Sequence, residues 1–186
     1  MDPLPDSVFD QLRTRTWARL SRLSFLRGEF LLSSGRRSSF YVDKYLFETE
    51  PDVLRDVARL LAHLLPRDVT RLAGPALGGV PIATAVALET GIPFVIVRQE
   101  AKDHGTGRVI EGRLQAGDRV VVLEDVVTTG AQAVRAARAV EAAGARVIQV
   151  LAVVDRREGG RDTVERAGYG FAALYDLSEW SPRFGK

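Results

Sequence analysis

The chain has 186 residues, 46% hydrophobic and 27% charged, with a net charge of +2. That composition suits one globular domain with a sizeable core and is too weakly basic to argue for nucleic acid. With no cysteine, disulfides, a thiolate nucleophile and cysteine metal ligands are excluded.

No apolar run reaches membrane-spanning length, and the proline-rich start lacks a secretory pattern, so a cytoplasmic location is expected. Residues 6–23 read as a helix with Val8, Leu12, Trp17 and Leu20 as its apolar positions. Residues 28–43 read as a hairpin: Phe30-Leu31-Leu32, a polar turn over Ser33-Ser34-Gly35-Arg36, then Phe40-Tyr41-Val42. Pro51 opens a helix whose face carries Val53, Leu54, Val57, Leu60, Leu61, Leu64 and Leu65, and Pro66 ends it.

From residue 71 the pattern alternates. A short strand over residues 71–74 leads into a glycine- and proline-containing loop, and a small-residue helix over 82–90 stops at Gly91. A buried strand over 94–97 and a polar segment over 99–112 follow. Next come the strand from Val120, a helix over 131–143 capped by Gly144, and a buried strand over 147–154. A short helix near 162–167 and an edge strand near 169–174 close the chain's pattern. Alternation of this kind predicts an α/β fold: right-handed βαβ units on a mainly parallel sheet flanked by helices. Loops after Gly74, Leu123 and Val154 should then leave one edge of that sheet.

The most informative of these loops follows Val120-Val121-Val122-Leu123. A continuous apolar run reads as a strand buried on both faces. It runs into Glu124-Asp125, and then Val126-Val127-Thr128-Thr129-Gly130 leads into a helix. Carboxylates suit sugar hydroxyls or a metal. Free N–H groups at a helix N-terminus suit a phosphate. A phosphorylated sugar satisfies both. Alone, the acidic pair could be two solvated acids pointing to opposite faces.

The segment Arg98-Gln99-Glu100-Ala101-Lys102-Asp103-His104-Gly105-Thr106-Gly107-Arg108 could be a solvated hairpin. Its cations and glycines also suit a mobile lid over a diphosphate. His63, mid-helix among apolar residues, reads as structural. Arg156 follows a buried strand and can pair with Asp155 or grip a carboxylate with its planar fork.

Together these motifs resemble a known family. Val120 to Gly130, with Ala131 and Gln132, resembles the phosphoribosyl-pyrophosphate (PRPP) signature of type I phosphoribosyltransferases. The lid resembles the catalytic loop of the orotate phosphoribosyltransferases. Gly28-Glu29-Phe30, Ser34-Gly35-Arg36 and Tyr41-Val42-Asp43 resemble that family's N-terminal hood, and Gly74-Pro75-Ala76 with Gly79-Val80-Pro81 its pyrophosphate loop. The resemblance implies a single domain over residues 1–186, with a hood formed largely by residues 1–45, that transfers ribose 5-phosphate from PRPP to orotate.

It further implies roles. Glu124 and Asp125 bind the ribose hydroxyls, and Val126, Val127, Thr128, Thr129, Gly130, Ala131 and Gln132 hold the 5′-phosphate. Thr128 and Arg156 contact orotate. Arg98, Gln99, Lys102 and His104 contact PRPP. Of these, Arg98, Lys102 and His104 act in catalysis, reaching the site from the partner subunit of a homodimer. Mg²⁺ is implied as a cofactor held by PRPP, with no direct protein ligand, and neither nucleic acid nor membrane is an implied partner. The chain has Gln99, Gly78 and Ser33 where relatives commonly carry lysine, and Lys44 is the candidate for supplying part of that charge. The alternatives are a purine-base phosphoribosyltransferase and a PRPP-sensing regulator. The regulator needs more DNA-binding structure than one amphipathic helix before the hood provides.

Overall fold

The structure is a computed structural model that describes residues 4–31, 37–99 and 109–179. Its chain order is α1 (Asp6–Ser24), β1 (Phe25–Leu31), β2 (Arg37–Val42), α2 (Lys44–Glu48) and α3 (Pro51–Leu64). Then follow β3 (Arg71–Pro75), α4 (Gly79–Thr90), β4 (Phe94–Val97), β5 (Ile110–Glu111) and β6 (Arg119–Val127). The last elements are α5 (Ala131–Ala142), β7 (Arg146–Asp155), α6 (Gly160–Arg166) and β8 (Gly170–Asp176), with a short 3₁₀ turn over Leu177–Glu179.

The main sheet has six strands in the order β5-β4-β3-β6-β7-β8. All its pairings are parallel except β4 with β5. The expected α/β architecture with a mainly parallel sheet is therefore present. β6 lies at the centre, and its alternate residues feed two cores. Val121 and Leu123 join α1, α3 and α4 on one face, while Val120 and Val122 join α5 on the other. An unbroken apolar run is what a strand covered on both faces requires. β3, β6 and β7 are parallel neighbours, so their C-terminal ends share one edge, and the three expected loops do leave there.

Several boundaries move. Val8 is 44% exposed, whereas Leu12, Trp17 and Leu20 are buried, so the buried stripe of α1 starts one turn later than its apolar pattern. The hairpin strands are longer than expected, with Phe25 paired to Val42, and the turn at residues 33–36 lies outside the described residues. α4 begins at Gly79 because Pro81 falls in its first turn, where no intrahelical N–H is needed. Glu124 and Asp125 lie inside β6, which continues to Val127, and are not beyond its end. Residues 110–111 form an antiparallel edge strand, and α2 is a five-residue helix; both are too short for a periodic signal.

α1 is anchored to β8. Trp17 stacks on Tyr175 at 4.7 Å between ring centroids, and the Tyr175 hydroxyl donates to the Arg13 carbonyl at 3.0 Å. Arg13 Nε in turn donates to the Leu174 carbonyl at 2.9 Å. His63 is structural, as expected: it stacks on Phe9 at 4.5 Å, and its Nδ1 accepts the Leu4 N–H at 3.1 Å.

Candidate active site

At the C-terminal edge of β6 a cavity of about 220 Å³ is lined by Lys44, Glu124, Asp125, the segment Val126-Val127-Thr128-Thr129-Gly130-Ala131-Gln132, Ala133 and Arg135. A larger cavity, about 820 Å³, opens at the opposite edge between the ends of α3 and α4. Its lining includes Arg67, Arg59, which faces Glu89, and His63, which is already bonded to the backbone. Chemistry and not size singles out the smaller cavity.

The sequence builds this cavity locally. Gly130 takes a left-handed conformation with φ +78 and starts α5 without a side-chain cap, so the first N–H groups of α5 are left for a ligand. The 128–130 loop is half-buried at Thr128 and exposed at Thr129. Gly130 packs directly on Gly160 at the start of α6. A Cβ at Gly130 would lie 2.6 Å from the Gly160 carbonyl oxygen.

Glu124 and Asp125 are 3% and 2% exposed. Burial, and then the neighbouring Asp125 charge, push the Glu124 carboxyl up to about 8, although Lys44 opposes this. Its Oε1 is buried with no hydrogen-bond partner. Asp125 Oδ1 accepts the Val126 N–H at 2.5 Å, and its Oδ2 pairs with Lys44 Nζ at 2.6 Å. Glu48, 4% exposed, completes the cluster; burial and its contact with Asp125 push its carboxyl up to about 9. For Lys44 burial works against the charge, but Asp125 and Glu48 outweigh it and the ammonium is held above its usual range.

Ala76 links three segments. Its N–H donates to the Val97 carbonyl at 2.8 Å, while its carbonyl accepts from Gln99 Nε2 at 3.2 Å and from Gln132 Nε2 at 3.4 Å. The loop after β3, the segment just after β4 and the start of α5 are thereby tied together. Arg98 is half-buried, and its N–H donates to the Val109 carbonyl at 2.8 Å. Lys102 and His104 lie outside the described residues.

The Arg156 N–H donates to the Val127 carbonyl at 2.9 Å, which fixes the end of β7 beside Thr128. The guanidinium pairs with Glu158 at 2.9 Å. Asp155 Oδ1 accepts the Arg157 N–H at 2.8 Å. Thr128 and Arg156 are therefore brought to one corner of the edge.

Comparison with known proteins bears directly on this geometry. The phosphoribosyl transferase domain model matches residues 47–171. The orotate phosphoribosyltransferase of Halobacterium salinarum is 53% identical over 152 residues, covering 82% of this chain and 86% of that protein. The chain belongs to the orotate phosphoribosyltransferase family. Among solved structures, Mycobacterium tuberculosis orotate phosphoribosyltransferase in complex with Fe(III) dicitrate is similar with a TM-score of 0.82 and 35% identity, covering 90% of this chain and 97% of that one. The same enzyme in complex with 5-phospho-alpha-D-ribosyl 1-diphosphate gives a TM-score of 0.77 at 32% identity, with coverage of 90% and 97%.

The carboxylate pair and the 128–132 loop line one cavity, while Gln99 and Arg156 stand next to it, bonded to Ala76 and to the end of β6. Sequence reasoning missed Glu48 and Gly160. Glu48 stands four residues after Lys44, a spacing that puts both on one face of a helix. Gly160 follows Gly159, and such a pair before a helix marks a close backbone approach.

Proposed function

We propose that the chain transfers the ribose 5-phosphate group of PRPP to orotate, giving orotidine 5′-phosphate and pyrophosphate, a step of pyrimidine biosynthesis. One observation carries this: a buried carboxylate pair and a helix N-terminus line one cavity, and the backbone of Arg156 is bonded to Val127 of that lining. The α5 N-terminus and the hydroxyls of Thr128 and Thr129 take the 5′-phosphate. Glu124 and Asp125 accept hydrogen bonds from the ribose hydroxyls, which orients the anomeric carbon. Arg156 and Thr128 hold orotate, whose carboxylate distinguishes it from a purine base.

The donor set fits Mg²⁺ carried by the substrate. The unpartnered Glu124 Oε1 and its neighbour Asp125 can accept from ribose hydroxyls and so would hold the substrate that carries the metal. Bound there, Mg²⁺ would supply charge neutralisation for the leaving diphosphate. Arg98, Lys102 and His104 are assigned the rest of that neutralisation, delivered from the lid of a partner subunit in a homodimer. Lid closure excludes the water that would hydrolyse PRPP. We further read residues 1–186 as one unit with a hood over about 1–45, located in the cytoplasm. Among the described residues no helix is long and apolar enough to cross a membrane.

The test is PRPP-dependent consumption of orotate, run with adenine, hypoxanthine and xanthine in parallel and with and without Mg²⁺. Turnover of a purine base and not orotate would overturn the assignment. Arg156→Ala is expected to raise the orotate KM roughly 10- to 100-fold with little change in the PRPP KM, as loss of a charge-assisted hydrogen bond costs about 1.5–3 kcal/mol. An unchanged orotate KM would remove Arg156 from the base site.

A further inference from the structure

The loop between β3 and α4, Ala76-Leu77-Gly78, carries no cationic side chain, yet a cation sits against it. Lys44 reaches from the first residue of α2 across to β6, and its Nζ lies 2.6 Å from Asp125 Oδ2. A Cβ at Gly78 would stand 1.6 Å from that same Oδ2 and 2.7 Å from Lys44 Nζ. The Asp125 carboxylate, with the Lys44 ammonium behind it, therefore fills the space that any side chain at position 78 would claim.

Lys44 is not sealed in by this pairing. Its side chain is 31% exposed, against 2% for Asp125, and it lines the same cavity as Glu124 and the 128–132 loop. An ammonium has three donors, and Asp125 uses one. Around it stand three buried carboxylates, those of Glu48, Glu124 and Asp125. Burial pushes the carboxyls of Glu48 and Glu124 up to about 9 and about 8, so near neutral pH they oppose an incoming diphosphate little and leave the ammonium available to it. The other cation of the cavity lining, Arg135, stands one turn into α5, beside the loop assigned to the 5′-phosphate. The two cations thus mark two ends of an elongated, doubly phosphorylated ligand.

We propose that Lys44 is a diphosphate-binding residue, bridging Asp125 to the diphosphate of PRPP from the hood side of the cavity. This rests on the phosphoribosyltransferase reading above. Gly78 is required because it leaves room for the bridge.

The experiment uses the full-length enzyme and titrates inorganic diphosphate and ribose 5-phosphate separately by calorimetry, in wild type and in Lys44→Met. Wild type that binds neither ligand and does not turn over orotate with PRPP would defeat the functional reading itself. With an active wild type, Lys44→Met is expected to weaken diphosphate about tenfold or more and to leave ribose 5-phosphate within about twofold. In steady state the PRPP KM rises while the orotate KM holds. Equal weakening of both ligands, or of neither, overturns the proposal. A second variant guards against a purely structural effect: Lys44→Ala should be rescued by added ethylammonium but not by propanol. Failure of the ammonium to restore diphosphate binding in a folded Lys44→Ala protein also overturns it.

Discussion

Gly130→Ala is expected to lower kcat/KM for PRPP by about 10²- to 10³-fold, while the protein stays folded. Gly130 sits at φ +78, where an L side chain costs roughly 1–2 kcal/mol. The larger effect is contact. The new Cβ would lie 2.6 Å from the Gly160 carbonyl oxygen and 3.1 Å from Gly160 Cα, both backbone atoms that cannot rotate away. Gly160 cannot retreat either. Its own approach to β6 is so close that a Cβ there would meet Val127 Cγ1 at 2.4 Å and the Thr128 carbonyl at 2.5 Å.

The loop of residues 128–130 must therefore shift, and it is the loop to which we assign the 5′-phosphate. A displacement near 1 Å from productive geometry costs on the order of 10²-fold. Gly117→Ala separates the two effects. Gly117 has φ +83 but nothing within 4 Å of its Cβ position, and it lies at the other edge of the sheet, before β6. That variant should show the backbone penalty in its melting temperature, about 2–4 °C per kcal/mol for a chain of this size, with unchanged kinetics. If Gly130→Ala behaved like Gly117→Ala in the PRPP assay, the packing of this loop on α6 would not matter for binding.

The contrast between these glycines shows what the sequence could and could not convey. The strand at Val120, the loop after it and the helix from Ala131 were legible because hydrophobic period, strand length and turn residues agree there. The shared edge of β3, β6 and β7 followed from the handedness of βαβ connections. Other features depend on distant parts of the chain meeting. The ion pair of Lys44 with Asp125 spans residues far apart in sequence, and no local pattern encodes it. α2 is too short to announce itself by periodicity. The sequence left the partner of Arg156 open between Asp155 and a ligand carboxylate; the structure adds a pair with Glu158, while Asp155 accepts the Arg157 N–H. That Glu124 and Asp125 line one cavity likewise came from the structure. Strand alternation alone sends them to opposite faces.

The second large effect concerns the charge of Glu124. Its carboxyl is pushed up to about 8, first by burial and then by Asp125. The charged form, the better acceptor for ribose hydroxyls, is then scarce at pH 6 and predominant at pH 9. Glu124→Gln fixes the position as neutral at every pH. The useful quantity is the ratio of wild-type to variant kcat/KM for PRPP, because titration of PRPP itself cancels in it. That ratio should grow about tenfold per pH unit below 8 and level off above it, reaching about 100-fold, the scale of a lost charged hydrogen bond.

Stability moves the other way. A carboxyl whose folded pKa is raised stabilises the fold fully below the unfolded value near 4.5, and that contribution is lost as pH rises through about 8. Glu48, pushed up to about 9, adds a loss in the same direction and extends the window upward. The ligand-free enzyme should therefore melt at progressively lower temperature as pH is raised from about 5 to 9, and Glu124→Gln should flatten part of that slope. A ratio independent of pH, or a variant with the full wild-type melting slope, would mean that Glu124 is already ionised in the free site. The buried carboxylate would then have to draw on a cation other than Lys44.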